Sequence, residues 1–209
     1  MKNKQTETKL KPILGLTRHL ASGVLYLTVI SLICSSALAQ LPRAIVTDFN
    51  GDGKPDYLLY NVSTRQTLLW YLNNNVHIGG AYGPTLPMGW ELAGVADFNR
   101  DGHPDYLLFN TATRQTALWY LNKNVHIGTA SGPSVSSIWE PVATGDFNKD
   151  GNPDWVLYNA STQQTVLRYM NNNVRIGGAY GPTLPAGWTL TLTEVSDGCE
   201  VACCGCWDY

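Results

Sequence analysis

No stretch of this 209-residue chain beyond its first 39 residues sustains a 3.6-residue apolar period, which excludes a helical body. No G-x-S-x-G elbow, no H-E-x-x-H pair and no Gly-rich phosphate loop at a strand-to-helix junction is present. No catalytic residue is therefore assigned, and the chain is read as a non-enzyme. Basic residues form no patch outside the N-terminus, and the aromatics are not interleaved with Lys or Arg, which excludes nucleic acid as a partner. Cysteine is scarce until the end: four of the five fall in the last eleven residues. After the N-terminal leader no second apolar stretch follows, so no membrane span is expected.

What is abundant is one loop, written three times. It reads DFNGDGKPD at Asp48–Asp56, DFNRDGHPD at Asp97–Asp105 and DFNKDGNPD at Asp146–Asp154, with first aspartates 49 residues apart. Oxygen side chains fall at loop positions 1, 3, 5 and 9: Asp48, Asn50, Asp52 and Asp56; Asp97, Asn99, Asp101 and Asp105; Asp146, Asn148, Asp150 and Asp154. Position 6 is always glycine (Gly53, Gly102, Gly151), and position 7 varies (Lys54, His103, Asn152), as a residue contributing only its backbone carbonyl can. Calcium takes six to eight oxygen ligands, and EF-hand loops use this same 1, 3, 5, 7, 9 spacing with glycine at 6. Asp-Gly and Asn-Gly clusters also make plain turns. Three aspartates crowded into each loop disfavour their own ionised forms, however, and a divalent cation removes that conflict. Three Ca²⁺ sites are expected. Leu59, Leu108 and Leu157 stand where an EF-hand has its twelfth-position glutamate, so water or a bidentate Asp56, Asp105 or Asp154 must complete each shell.

The N-terminus has the parts of a secretion signal, residues 1–39. Lys2, Lys4, Lys9, Lys11 and Arg18 give a positive region, Val24 to Ile33 a short apolar region, and Ala37-Leu38-Ala39 a small-x-small cleavage site. Export to the extracellular space or cell surface follows, with a mature chain from Gln40. Net charge is −2 for the full chain. The leader takes five basic residues and Glu7 with it, leaving 9 basic and 15 acidic residues, a net of −6. Nine of those acids lie in the three loops, so three Ca²⁺ ions bring the formal total to zero. In residues 196–209, Cys199, Cys203, Cys204 and Cys206 fit two disulfides in any of three pairings. Zinc on four thiolates and linkage to a neighbouring molecule are the alternatives there.

The repeat extends far past the loops. Each is followed by DYLLYN, DYLLFN or DWVLYN, then by QTLLWYLNNN, QTALWYLNKN or QTVLRYMNNN, and then by VHIGGAYGPTLP, VHIGTASGPSVS or VRIGGAYGPTLP. These are short β-branched and aromatic segments bounded by turn residues. A 49-residue unit of four short strands predicts an all-β fold of three tandem four-stranded antiparallel propeller-like blades, at about 41–90, 91–139 and 140–188. Loop and blade together resemble the FG-GAP/VCBS repeat family, whose calcium-binding blades occur in integrin alpha-chain propellers and in secreted bacterial proteins. The resemblance covers about Leu41 to Val195 and implies a cage in the loop between the first two strands of each blade. Integrin-type propellers have seven blades, where three are found here.

Three blades leave open edges. Residues 188–195 match the first strand of a fourth blade but run into the cysteine tail, so this orphan strand is expected to cap the third blade, close onto the first near Arg43–Asp48, or pair with another molecule. The expected partner is the chain itself, in an oligomer, filament, tube or coat. A glycan or another surface protein is the alternative partner. Trp70 and Trp119 correspond to each other and to Arg168, and Trp90, Trp139 and Trp188 correspond. Repeating tryptophans are expected as packing between blades, with a sugar platform as the alternative. His77 and His126 are expected at the surface rather than on a metal.

Overall fold

The computed structural model describes residues 45–188 and 190. The leader, the cysteine tail and the orphan strand beyond Trp188 (Leu190 excepted) lie outside the described residues. Among the described residues there are twelve strands and no helix, hence no helix long and apolar enough to cross a membrane.

The strands form three four-stranded antiparallel sheets, each a meander in chain order. The first holds β1 (Ile45–Thr47), β2 (Asp56–Asn61), β3 (Gln66–Asn73) and β4 (Val76–Thr85). The second holds β5 (Trp90–Ala96), β6 (Asp105–Asn110), β7 (Thr116–Asn122) and β8 (Val125–Ser131). The third holds β9 (Glu140–Gly145), β10 (Asp154–Asn159), β11 (Gln164–Asn171) and β12 (Val174–Thr183).

Turn chemistry explains why the meander repeats. The Asn61 side chain accepts the amides of Ser63 and Thr64, both at 3.0 Å, which folds the chain between β2 and β3. Asn110 and Asn159 do the same in the other sheets. The next turn places Asn74, Lys123 and Asn172 at φ near 55°, the left-handed region that asparagine tolerates best among side-chain-bearing residues. The asparagine runs at 73–75 and 171–173 therefore make hairpin turns, with Asn73 paired to Val76 and Asn171 to Val174.

Two apolar cores form, each drawing on two consecutive sheets. One gathers Phe49, Leu58, Leu69 and Leu86 with Tyr106, Leu108 and Ala117; the other gathers Phe98, Leu107, Leu118 and Val135 with Trp155 and Leu157. The middle sheet is covered on both faces, and its strands show it: DYLLFN in β6 is buried from Asp105 through Phe109, whereas the nearly identical DYLLYN in β2 alternates buried and exposed at its start. Each leucine fully removed from water in these seams contributes roughly 1.5–3 kcal/mol. Thr144 adds a polar tie, donating its hydroxyl to the Val95 carbonyl at 2.9 Å and so joining β9 to β5.

Candidate metal centre

All three aspartate-rich loops connect the first and second strands of a sheet: β1 to β2, β5 to β6 and β9 to β10. Position 1 ties the loop into a ring. Asp48 Oδ1 accepts the amides of Gly51 and Asp52 (2.7 and 3.2 Å), and Oδ2 accepts that of Gly53 (2.7 Å). Asp97 and Asp146 hold Gly102 and Gly151 in the same way, at 2.8 and 2.7 Å. Those glycines sit at φ of 78°, 86° and 81°, which is why position 6 carries no side chain. Position 3 (Asn50, Asn99, Asn148) accepts the position 5 amide at 2.8, 3.0 and 2.9 Å. Position 5 accepts the amide of Lys54, His103 or Asn152 at 2.9, 2.9 and 2.8 Å.

Position 9 does something the sequence reading did not foresee. Asp56, Asp105 and Asp154 are fully buried. One carboxylate oxygen of each takes the amide of Phe49, Phe98 or Phe147 within the loop, all at 3.1 Å. The other takes the amide of Leu72, Leu121 or Met170 on the third strand, at 2.9, 2.8 and 2.9 Å. Each of these carboxylates thus bolts its loop to the sheet. The sequence signal was its place at the first residue of a strand, a poor position for a solvated ligand.

At Asp105 and Asp154 the surroundings favour the neutral acid. Burial is the main force pushing the Asp105 carboxyl up to about 7, the Leu121 amide opposes it, and Asp101 and Asp97 raise it further. Burial raises Asp154 as well. Asp150, fully exposed, is held below the usual carboxylate range, first by the Asn152 amide and then by the Asn148 side chain. Among the described residues the ion pair is Arg114 with Glu140, both outside the loops, so none of these carboxylates is ion-paired there. Arg100 comes nearest: it crosses from the second loop to donate to the carbonyls of Gly151 (2.8 Å) and Asp150 (3.2 Å) in the third.

Among the described residues no three His, Cys, Asp or Glu side chains converge as a metal-ligand cluster. The carboxylates at positions 1 and 5 face the loop's own amides. The donor set is nonetheless all hard oxygen, each carboxylate retains lone pairs beyond those the amides take, and a buried acid lies beside two others. These residues fit a calcium ion better than a softer metal.

The repeating aromatics divide. Trp90, Trp119 and Trp139 pack against the two cores, as expected of residues between sheets, while Trp70 and Trp188 are exposed. His77 lies 4.7 Å from the Trp70 ring, and His126 stacks on Trp119 at 4.3 Å; both are exposed, and neither joins a ligand cluster. A cleft of about 440 Å³ beside Trp119 is lined also by Trp90, Thr129 and Ser131. Arg168 and Arg175 line a smaller one, of about 240 Å³, beside Trp139.

The sequence profile of the FG-GAP-like repeat matches residues 48–108 and 97–157, more than half of the chain. Each match begins on a position 1 aspartate, Asp48 or Asp97. No curated protein matches the sequence. Among solved structures, a chain of the Photorhabdus luminescens Tc holotoxin pore is similar at 15% identity and a TM-score of 0.46, over 72% of this chain and 7% of its own.

Proposed function

The chain belongs to the FG-GAP-like repeat family, and from that premise we propose that it is a secreted, calcium-binding structural and interaction protein. Its three sheets act as propeller-type blades. Calcium at each of the three loops stiffens the link between the first two strands, and the blades left open associate with further copies of the chain. The reading is of a non-catalytic module, since the loop acids recur in every repeat as an ion cage would and an active site need not.

One observation carries this reading. Three times, a fully buried aspartate is fastened to the third strand while sharing its loop with two more carboxylates, and among the described residues no cation is paired with it. An ion bound there draws the loop acids together and cancels the charge that otherwise repels acidic subunits. Extracellular calcium modules bind at roughly 10⁻⁴ to 10⁻³ M. With the ion tenfold above such a constant, each site adds about 1.4 kcal/mol.

Radiocalcium dialysis and thermal melts of the full chain test the proposal. Three equivalents should bind, and Asp48→Ala, Asp97→Ala and Asp146→Ala should each remove one. A melting temperature indifferent to 10 mM Ca²⁺ and to chelator, with no ion retained, would sink it.

A second reading, carbohydrate binding, draws on the exposed Trp70–His77 pair and the cleft beside Trp119. Aromatic faces stack on pyranose rings, and the Thr129 and Ser131 hydroxyls supply hydrogen bonds. Retention on a glycan column without assembly would favour it.

A further inference from the structure

The two seams between sheets are built alike, and half of such a seam is left over at each end of the described chain. At the first seam Tyr106 brings its hydroxyl to 3.3 Å from Thr67 Oγ1. A Cβ placed on Gly83 would lie 3.3 Å from that hydroxyl, so the ring end occupies a socket floored by Thr67 and Gly83. At the second seam Trp155 replaces Tyr106, and a Cβ on Gly132 would meet its Cη2 at 2.8 Å and Thr116 Oγ1 at 2.5 Å. The third socket, Thr165 and Gly181, has no ring in it among the described residues: the three atoms nearest the space beside Gly181 all belong to Thr165. The matching aromatic of the first repeat, Tyr57, is 45% exposed, where Tyr106 and Trp155 are 0%.

The surfaces around knob and socket follow the same rule. Phe49 and Phe98 are 1% exposed beneath the next sheet, but Phe147 is 40% exposed. Leu86 and Val135 are buried in the two seams, and their counterpart Leu184 is only half-buried. Polar ties also repeat. Asn124 Nδ2 donates to the Tyr82 carbonyl at 3.0 Å and Asn173 Nδ2 to the Ser131 carbonyl at 2.9 Å. Counting by the 49-residue repeat, the donor left over is Asn75 and the acceptor left over is Tyr180. Arg100 reaches forward to the carbonyls of Asp150 and Gly151. Lys149 stands at its loop position in the third repeat, exposed, and the matching targets in the first repeat are Asp52 and Gly53.

We propose that the Tyr57 face of one copy docks on the Thr165–Gly181 face of a second copy, repeating between molecules the seam that the chain makes twice within itself. The Tyr57 ring enters over Gly181 with its hydroxyl at Thr165 Oγ1. Asn75 donates to the Tyr180 carbonyl, and Lys149 lies against the Asp52–Gly53 loop of its neighbour, where its charge complements the acidic loop. The surfaces differ, so the contact is heterologous: each copy uses both, and growth ends only by closing a ring. This inference rests on the assembly reading proposed above and narrows it from open blade edges to two named sheet faces.

Sedimentation of the full chain in millimolar Ca²⁺ tests it, with Tyr57→Asp and Leu184→Asp made separately and circular dichroism melts confirming that each folds. Each variant alone should lose assembly and sediment as a monomer. A one-to-one mixture should form dimers and nothing larger, because each variant keeps the face the other lacks. Assembly that survives in either folded variant, or a mixture that stays monomeric, overturns the proposal. So does a wild-type chain that remains monomeric as its concentration rises a hundredfold, because the faces are then closed within one chain. Should Leu184→Asp not fold, Leu184→Ser gives the same reading. A wild-type chain that assembles equally well in chelator would remove calcium from the assembly step alone and leave the docking faces standing.

Discussion

Asp56 accepts the amide of Leu72, sixteen residues further along the chain, at 2.9 Å, and both partners are buried. Asp105 with Leu121 and Asp154 with Met170 repeat the bond at 2.8 and 2.9 Å. The last aspartate of each loop therefore holds the sheet together whether or not an ion is bound, while the position 5 acids, Asp52, Asp101 and Asp150, are exposed. That split separates two kinds of substitution.

Asp105→Ala should destabilise the chain even in chelator, because it orphans the buried amides of Leu121 and Phe98. Leaving a buried donor unsatisfied costs about 1–3 kcal/mol per group. Asp101→Ala, at an exposed position, should change the chelated chain by less than about 1 kcal/mol. In excess Ca²⁺ both should lose one bound ion. Denaturant titrations with and without chelator read the difference; equal losses in chelator would show that Asp105 has no separate structural role.

Proton and calcium should compete at the second loop. Burial and the neighbouring Asp101 and Asp97 carry Asp105 from 3.8 up to about 7 in the folded chain. A raised carboxyl means that the folded state binds the proton more tightly than the unfolded one. Its contribution is complete below about pH 4 and is lost as pH climbs through about 7. The chelated chain should therefore melt at a lower temperature at about pH 7.5 than at about pH 5, and the rise on adding Ca²⁺ should be larger at the higher pH. A calcium increment that does not grow between those two pH values would contradict the linkage.

Strand content, the 49-residue unit and the position of the loops were legible because each rests on local chemistry: turn asparagines, apolar runs and a forced glycine at Gly53, Gly102 and Gly151. What depends on the neighbouring sheet was not. Nearly identical segments, DYLLYN and DYLLFN, behave differently because β6 is covered on both faces and β2 is not. Within these six-residue segments only Tyr60 and Phe109 differ, yet Tyr57 is 45% exposed and Tyr106 0%. The structural role of Asp56 was hidden for a related reason: its partner Leu72 lies sixteen residues away on β3, outside the loop motif.

Leu59 and Leu108 turn that difference into numbers. They hold the same place in the repeat, but Leu108 is buried in a seam and Leu59 is half-buried on the first sheet. Leu108→Ala should cost about 2–5 kcal/mol, the range for truncating a packed core leucine. Leu59→Ala should cost less than half of that in dilute chain. Its cost should grow with protein concentration, since assembly buries the Leu59 face. Chemical denaturation at two concentrations checks both parts, and equal costs for the two leucines at low concentration would count against the open face.

Trp70 and Trp119 decide between packing and sugar binding. Trp119 packs against the first core and stacks on His126 at 4.3 Å, whereas Trp70 is 38% exposed on the uncovered sheet. As packing, Trp119→Ala should approach the cost of about 3–5 kcal/mol expected for a buried aromatic, and Trp70→Ala should cost much less in dilute chain. As a sugar platform, either substitution should abolish retention on a glycan column while the melting temperature holds. The buried edge of Trp119 argues for the first outcome. A ring that fills a seam cannot offer that face to a pyranose, so unfolding would accompany any loss of binding at Trp119. Loss of retention in a Trp70→Ala chain that still folds and assembles would restore the glycan reading.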